Sequence, residues 1–586
     1  MTCDEGDVMD DLIHVERGHG VLMGDGTNLV TDVYHPHGDG PWPTLVFRVR
    51  GSLSAGFITH VLMLNPFLAV ERGYAVVIQQ VRGRGLSEGE WDPFFNEGND
   101  GADCVRWVLD QPWCDGRIGT YGTAYSAVSA LQLVAQGFDE VKACTVLGTN
   151  ANPYDNWIYT SGCFELGWNV YWAYMLGIES IGRLECSEDE RARSKSDLSQ
   201  AIIDLPEVVR RLPVDQHPEL RNGVSPCYEE WLEHSSYDEY WDSINILKKA
   251  PQITAPILSI VGWHDNFLKS HFDLYRQITS VGAEPGRSNH RMVVGPWEHA
   301  SYVNPFSTSS NGVWEFGLEA ASGVGLSGSL VLDWMDRWVK EETSGESCGV
   351  RYWQMGENCW NEVDVWPPVG VETCWYLSST GGDAAARNEG ELVLETPESE
   401  LADTFDYDPA DPTPTVGGKI LMPFIQLAGV YDQTPVEERS DVACYTSPVL
   451  TEAVAVSGPV KCVLWVSTSA VDTDFTAKLL DVEPDGIAAN LADGIVRLSR
   501  AFPNDPVGPG TVQKVEIDLW DLGHTFLPGH QIRLEVASAN FPRFDRNLNV
   551  TSGAGFGSLD DAVVATQTVY HGEGRPSRLV LSVATG

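Results

Sequence analysis

The alternation of apolar and polar positions divides the 586-residue chain into regions of different character. From about 25 to 150, short apolar runs alternate with amphipathic segments, which is typical of a parallel sheet whose strands are separated by helices. The continuous apolar runs at 43–49 and 74–80 predict buried strands. Residues 117–122 predict another strand, and residues 125–137 predict a helix that ends at a glycine. We therefore expect an α/β unit here.

The pattern changes between 152 and 248, where aromatic residues and charged, helix-forming runs replace the strand signals. We predict a helical insertion over this segment. The strand pattern resumes at 255–267 and 290–300, in continuous apolar runs. The expected organisation is an α/β domain formed by residues 1–151 and 249–345, with the helical segment as its cap.

The last part of the chain, 346–586, has almost no helical pattern. Short alternating segments separated by Gly, Pro, Asp and Asn predict an antiparallel β domain, either a sandwich or a jelly roll. The segment 349–356, "GVRYWQMG", is expected to be its first strand.

The net charge of −45 excludes some partners. Acidic residues number 83 against 38 basic ones, and such a surface repels nucleic acid and anionic membranes, so we expect neither as a partner. We interpret the charge as a solvated acidic surface.

The 12 cysteines include no C-x-x-C pair, and no histidine cluster has metal-ligand spacing. This is typical of reduced thiols in a cytoplasmic protein. The chain shows neither a signal-peptide pattern nor an apolar run of about 20 residues, so we expect a soluble, cytoplasmic protein. The glycine-rich run 82–89 lacks the spacing of a dinucleotide loop. Neither a metal nor an organic cofactor is expected.

Residues 116–130, "GRIGTYGTAYSAVSA", predict a strand that enters a helix through a tight turn after Gly122. Such a turn exposes its middle side chain and points backbone N–H groups of the helix to the same place, which suits a nucleophile beside an oxyanion hole. The residue at the middle position is Ala124. On this local pattern alone, a buried turn without catalytic function remains the alternative.

Two later residues favour a catalytic turn. Asp265 follows one predicted strand and His299 follows the next, and functional groups of open α/β sheets gather at the carboxyl ends of strands. The order of nucleophile turn, acid and histidine is that of α/β-hydrolases.

Several long stretches of the chain carry a resemblance to one known family: 23–36, 73–91, 111–127, "VGWHDNF", "GPWEH", 429–450 and 538–550. They resemble the cocaine-esterase and X-Pro dipeptidyl-peptidase (CocE/NonD) family of α/β-hydrolases, and its cocaine-esterase branch in particular. The resemblance implies an α/β-hydrolase domain with an inserted helical cap and a C-terminal β jelly-roll domain.

The resemblance also implies roles for four positions. Position 124 corresponds to the nucleophilic serine of the family's G-x-S-Y-x-G turn. Asp265 corresponds to the acid of the triad, and His299 to its general base. The backbone N–H of Tyr125 would supply one oxyanion donor.

The chain departs from the family at Ala124, because a methyl group cannot be deprotonated or acylated. Ser126 is a poor substitute, since successive helical residues rotate by about 100° and Ser126 is expected to point away from the apex. Thr123 is expected to face the other side of the turn.

Two further positions differ from the family. Ala127 stands where glycine is usual, a small change that should fit. Gly51 stands where the cocaine-esterase branch places a tyrosine that is the second oxyanion donor. Ser52, Ser54 or a backbone N–H could replace its hydroxyl, so this donor stays unassigned.

The candidate substrate pocket is aromatic. Phe267 follows the acid directly and matches an aromatic residue of the cocaine-esterase branch. Trp157, Phe164, Trp168 and Trp172 lie at the start of the cap, where ordinary core packing is the alternative explanation. An aromatic lining favours an ester or amide of a bulky aromatic or polycyclic acid or alcohol.

The resulting interpretation is a serine hydrolase of carboxylic esters, or amides, that works through an acyl-enzyme, in the form of an inactive Ser→Ala variant. A natural pseudo-hydrolase that binds a small ligand is the first alternative, and an acyltransferase with the same triad is the second. The expected partner is a small molecule, and an aromatic-rich jelly roll could support a homodimer.

Overall fold

The computed structural model describes most of the chain as two large sheets with a mainly helical segment inserted into the first. The ranges described are 13–51, 63–299, 301, 310–321, 329–342, 349–380, 390–504, 508–550 and 555–585.

The first sheet has ten strands in the order β1-β2-β4-β3-β5-β6-β7-β8-β9-β10. Pairing is parallel from β4 to β9 in that order and antiparallel at both ends. The strands are β1 Ile13–Leu22, β2 Asn28–Pro36, β3 Trp42–Val49, β4 Ala75–Gln80, β5 Cys114–Thr123, β6 Val141–Leu147, β7 Ile257–Gly262, β8 Arg291–Gly295, β9 Gly349–Gln354 and β10 Cys359–Val363.

Helices cover both faces of this sheet, which explains why its central strands are continuous apolar runs. Val46 of β3 packs in one core, and its neighbours Leu45 and Phe47 pack in another on the opposite face. The helices in the described part of the chain are α1 Pro66–Glu71, α2 Glu97–Leu109, α3 Tyr125–Val134, α4 Leu166–Ser180, α5 Glu188–Ile203, α6 Leu205–Val208, α7 Pro226–Glu233, α8 Glu239–Ile244, α9 Leu268–Val281, α10 Ser329–Val339, α11 Thr434–Glu437 and α12 Leu498–Ala501.

Within the described residues, the second sheet contains eleven strands, and all but one of its pairs are antiparallel. It confirms the predicted C-terminal β-rich, jelly-roll-like domain and, with the first sheet, the predicted α/β class. The strands are β11 Gly370–Ser378, β12 Gly390–Val393, β13 Leu401–Tyr407, β14 Ala443–Thr446, β15 Val454–Thr468, β16 Asp474–Val482, β17 Ala488–Arg497, β18 Gln513–Phe526, β19 Gln531–Ala537, β20 Ala565–His571 and β21 Arg578–Ala584.

One predicted strand belongs to a different sheet from the one expected. The segment 349–356 was expected to open the β domain, but its strand β9 pairs in parallel with β8 and extends the first sheet. Strand β10 then pairs antiparallel with β9. Local alternation identifies a strand but carries no information about its partner.

The segment predicted as a cap contains a short hairpin, Tyr159–Thr160 with Cys163–Phe164, followed by helices α4 to α8. Its apolar side chains belong to the same core as one face of the first sheet. No helix in the described part of the chain is long and apolar enough to cross a membrane.

A buried ion network joins this hairpin to the second sheet. The guanidinium of Arg497 binds both carboxylate oxygens of Asp474 at 2.8 Å and contacts Asp545 at 3.1 Å. Asp545 also accepts the N–H of Phe164 at 2.8 Å, and Arg497 lies 3.4 Å from the carbonyl oxygen of Gly162. The three charged side chains are at most 2% exposed.

Candidate active site

The turn between β5 and α3 has the backbone of a nucleophile elbow. Ala124 precedes α3 with φ 49° and ψ −123°, which a residue with a side chain rarely adopts. A Cβ on Gly122 would lie 2.3 Å from the Ser126 backbone, so glycine lets β5 pass this close to the helix. Tyr125 is the first helical residue, and its N–H therefore has no acceptor inside the helix. The elbow keeps its shape although its apex is an alanine.

A buried carboxylate fixes the helix that follows the elbow. Glu97 accepts hydrogen bonds from the Tyr125 hydroxyl and the Ser129 hydroxyl, both at 2.9 Å, and pairs with Arg48 at 2.8 Å. The Tyr125 oxygen also accepts the N–H of Phe94 at 2.9 Å. Because the side chain of Tyr125 is held in this way, its backbone N–H has a fixed direction.

Asp265 and His299 lie together after β7 and β8, as their positions at strand ends predicted. Nδ1 of His299 is 3.2 and 3.3 Å from the two carboxylate oxygens of Asp265. Asp265 is fully buried and also accepts the N–H of Phe267 at 2.8 Å. When the Nδ1–H of His299 donates its hydrogen bond to the Asp265 carboxylate, Nε2 is the nitrogen that can take a proton from a nucleophile.

Two residues that the sequence patterns did not single out connect the elbow to this pair. The Thr149 hydroxyl donates to the carbonyl oxygen of Ala124, and the Thr149 N–H donates to Nε2 of His271, both at 2.9 Å. Burial lowers the pKa of His271 to about 4, although the negative charge of Asp265 acts to raise it. Thr149 follows the end of β6, so the strand-end rule could have found it. His271 lies inside α9 and had no such signal.

The environment of His299 suits a general base. Burial lowers its pKa, but the carboxylate of Asp265 raises it through charge and hydrogen bonding, and Glu298 adds a smaller effect in the same direction. The net result is a pKa above the ordinary value. The protonated pair therefore contributes stability that is complete below the unfolded-state pKa of histidine and is lost as the pH rises through the raised value.

The exchange Asp265→Asn should reverse this shift. Without the carboxylate, burial dominates, and we expect the pKa of His299 to fall below that of a solvated histidine. Histidine-selective NMR titration of the parent chain and the variant measures the change, with His299→Gln for assignment. The resonance of His217, whose pKa burial lowers to about 4 within the cap, serves as the control and should not move. An unchanged His299 titration would contradict the assigned pairing.

The structure brings most of the predicted aromatic residues to the side of His299. The ring of Phe267 is 5.3 Å from the imidazole of His299, and the ring of Trp157 is 4.6 Å from that of Phe267. Trp168 lies 6.4 Å from Phe267, and Trp172 lies 5.0 Å from Trp157. Trp157, Trp172 and Phe267 are at most 4% exposed. They form a packed cluster, and contact with substrate stays a prediction for them.

Phe164 is not part of this cluster. Its ring packs against Tyr159 at 5.4 Å and Tyr228 at 6.1 Å, inside the cap. Its backbone N–H is held by Asp545 of the second domain. The hairpin brings Phe164 to the contact between the cap and the second domain. Its position near the start of the cap in the sequence could not show this.

A cavity of about 640 Å³ opens beside the elbow, and both apolar and polar groups form its walls. Thr123, Ala124, Tyr125 and Ser126 all line it. Ser126 was expected to point away from the apex, yet it borders the same cavity and is therefore a necessary control in any experiment on position 124. Further walls come from Arg50, Gly51, Arg84, Glu179 and Arg183.

Gly51, which corresponds to the position of the second oxyanion donor in the cocaine-esterase branch, lines the same cavity as the elbow. Its φ of 118° is a conformation that glycine adopts and other residues rarely do. The backbone here therefore disfavours the tyrosine of the cocaine-esterase branch. Ser52 and Ser54, the suggested replacements, lie outside the described residues.

Three residues that are not grouped by their spacing along the sequence form a cluster that could hold a metal ion. Strands β1 and β2 bring His14, Glu16 and His35 together, with their ligand atoms within 4.8 Å of one another. His14 and His35 are directly paired across the two strands. Spacing along the sequence cannot reveal such a group, since strand pairing creates it.

Comparison with known proteins agrees with the fold. The model of the X-Pro dipeptidyl-peptidase (S15 family) matches residues 25–301, and that of the X-Pro dipeptidyl-peptidase C-terminal non-catalytic domain matches residues 346–580. Cocaine esterase from Rhodococcus sp. (strain MB1 Bresler) is 33% identical over 572 residues, which are 96% of this chain and 97% of that protein. A putative serine esterase from Mycobacterium tuberculosis (strain CDC 1551 / Oshkosh) is 24% identical over 89% of this chain and 90% of its own.

Solved structures share the whole fold. An aminopeptidase from a marine sediment archaeon, Thaumarchaeota archaeon, superposes with a TM-score of 0.78 at 22% identity, over 98% of this chain and 96% of its own. An α-amino acid ester hydrolase superposes with a TM-score of 0.77 at 20% identity over the full length of both chains. With the match to cocaine esterase along nearly its whole length, the chain belongs to the cocaine-esterase and X-Pro dipeptidyl-peptidase family of α/β-hydrolases.

Proposed function

We propose that this chain is the scaffold of a serine hydrolase of carboxylic esters, or amides, in which alanine at position 124 blocks the acyl-enzyme step. The observation that carries the proposal is the pairing of Asp265 with His299 together with an elbow that keeps φ 49° at Ala124, the two being connected through Thr149 and His271. A protein without the reaction has no need of a strained turn and a buried acid–imidazole pair in the same place.

The reaction follows from these positions once a serine stands at the apex. Nε2 of His299 takes the hydroxyl proton while the serine oxygen attacks the carbonyl carbon, and the N–H of Tyr125 stabilises the oxyanion. The imidazolium then protonates the leaving group, and water releases the acyl group by the same route. The methyl group of Ala124 supplies neither the proton nor the electron pair.

The aromatic cluster supports the substrate class suggested by the sequence. Phe267 adjoins the imidazole of His299, with Trp157 and Trp168 behind it. An acyl or alcohol group that packs against these rings would be bulky and aromatic or polycyclic. The partner is accordingly a small molecule.

Covalent trapping tests the proposal. Diethyl p-nitrophenyl phosphate should phosphorylate the Ala124→Ser variant, since the serine oxygen attacks phosphorus and expels p-nitrophenolate. Intact-protein mass and peptide mapping should place the diethylphosphoryl group at position 124. The parent chain and the Ala124→Ser/His299→Ala double variant should remain unlabelled. A folded Ala124→Ser protein that stays unlabelled, or carries the label at Ser126, would overturn the proposal.

A second function is favoured by two departures from the family, Ala124 and Gly51. A pseudo-hydrolase that binds a small ester or amide without turning it over needs neither the nucleophile nor the second oxyanion donor. In that case the Ala124→Ser variant would bind ligands as the parent does and resist the phosphorylating reagent.

A further inference from the structure

The cavity beside the elbow has a charge opposite to that of the whole chain. Three arginines line it, Arg50 after β3, Arg84 after β4 and Arg183 after α4, while Glu179 is the one acidic residue among the lining residues described. At neutral pH the cavity therefore carries two excess positive charges, in a chain whose net charge is −45. An arginine cluster is the feature that binds carboxylates and other oxyanions in proteins.

The single carboxylate does not satisfy the three guanidinium groups. Glu179 pairs with Arg50 at 2.5 Å, and the same oxygen lies 3.7 Å from Nε of Arg84. The second distance is too long for a hydrogen bond. Arg183 is held by the carbonyl oxygens of Gly85 and Ser87 at 2.7 and 3.0 Å, which fixes its direction without neutralising its charge.

Arg84 is the residue that points to a ligand. It is 5% exposed, and its Nε has no hydrogen-bond acceptor among the described residues. Its guanidinium lies 4.1 Å from the centre of the Trp91 ring, and Nη1 donates to the Ser180 hydroxyl at 3.0 Å. A buried, unmatched guanidinium donor is unfavourable unless something accepts its hydrogen bond.

An explanation in which these residues only hold the cap to the first sheet accounts for part of the arrangement. The pair of Arg50 and Glu179 joins the two units, and so do the bonds of Arg183 to carbonyl oxygens. This explanation does not account for three arginines and a single carboxylate in a cavity that Ala124 and Tyr125 also line. A carboxylate supplied by the substrate would fill the hollow and complete the coordination of Arg84.

We propose that this cavity is a carboxylate subsite, and that the substrate is an ester or amide that also carries a free carboxylate. The inference rests on the proposed function for the position of the scissile group, since the cavity shares its wall with the elbow. The carboxylate of the substrate binds between Arg84 and Arg183. Glu179 pairs with Arg50 and competes with the substrate carboxylate for the positive charge of the cavity.

Ligand binding to the parent chain tests the subsite without any turnover. Glutaranilic acid, the mono-anilide of glutaric acid, carries the carboxylate. Pentananilide is its neutral counterpart, and 5-aminopentananilide is its cationic one. Calorimetry at one fixed salt concentration should give glutaranilic acid an affinity at least about 10-fold above that of pentananilide, as a charge-assisted hydrogen bond provides.

Variants separate a ligand site from a structural one. Arg183→Gln and Arg84→Gln should each remove most of the 10-fold preference, and Arg183→Gln, at an exposed position, keeps the test valid if Arg84→Gln does not fold. Glu179→Gln should strengthen anion binding several-fold, because it removes the competing carboxylate. Arg106→Gln, an exposed arginine of α2, is the matched control and should change nothing.

The results distinguish this inference from the proposed function. Tighter binding of 5-aminopentananilide, with loss of that binding in Glu179→Gln, would overturn the carboxylate subsite in favour of an ammonium subsite. Equal binding of all three anilides would overturn it as well. If the reagent labels Ala124→Ser but the three anilides bind equally well, the proposed hydrolase stands and the carboxylate subsite is overturned. If glutaranilic acid binds more tightly but Ala124→Ser is not labelled, the subsite stands and the hydrolase is overturned.

Discussion

The Ala124→Ser variant should hydrolyse p-nitrophenyl and other aryl esters at a rate about 10³-fold or more above that of the parent chain. Removing the nucleophile from a serine hydrolase leaves only the catalysis due to binding and the oxyanion hole, so restoring it should return several orders of magnitude. The gain requires no other change, because Asp265 already orients His299 and the elbow already has its backbone geometry.

Two controls make this result specific. Ala124→Ser/His299→Ala should lose nearly all the gain, since the installed hydroxyl then has no base. Ala124→Ser/Ser126→Ala should retain it, although Ser126 borders the same cavity. Stopped assays that quantify both the alcohol and the acid measure the turnover. A folded Ala124→Ser protein no faster than the parent would exclude the hydrolase.

The exchange Arg497→Met should lower the free energy of unfolding by about 3–5 kcal/mol, the largest stability effect expected from one side chain. It leaves Asp474 and Asp545 buried and unpaired, and an uncompensated buried charge is strongly destabilising. Denaturant and thermal unfolding, followed by fluorescence, measure the shift.

A surface pair of the same domain provides the control. Lys461 and Glu516 bridge β15 and β18 at 2.8 Å with side chains 43% and 55% exposed. Lys461→Met should therefore cost less than about 1 kcal/mol. The triple exchange Arg497→Met/Asp474→Asn/Asp545→Asn should recover part of the loss, because it removes the unpaired charges. Equal losses for Arg497→Met and Lys461→Met would show that the buried network contributes no more than a surface pair.

The sequence was sufficient for the parts of the site that depend on local pattern. An apolar run ending at Gly262 predicts a strand, and a polar residue soon after its end is then placed at the carboxyl edge of the sheet. That reasoning applies to Asp265 and His299 and would extend to Thr149. The sequence also indicated an elbow at position 124 although no nucleophile stands there, because the shape of the turn depends on Gly122 and the helix rather than on the apex residue.

The rest of the site depends on contacts between distant segments. Arg50 and Glu179 are separated by more than a hundred residues and meet only because the end of α4 lies close to the residue that follows β3. The pairing of strand β9 and the grouping of His14 with His35 likewise depend on which strands become neighbours in the fold. Phe164 was assigned to the substrate side by its position along the cap, but the hairpin turns it toward Asp545.

The strained backbone conformation at Ala124 is relevant to how a serine nucleophile would have been lost from this position. A residue with a Cβ held at φ 49° and ψ −123° raises the energy of the folded state by about 1–3 kcal/mol, and glycine would relieve much of it. In a lineage long free of selection for catalysis, drift toward stability would favour glycine at this position. On the proposed function, alanine is the smallest change that would delete a serine hydroxyl and leave the strain in place, which would make the loss of that nucleophile recent.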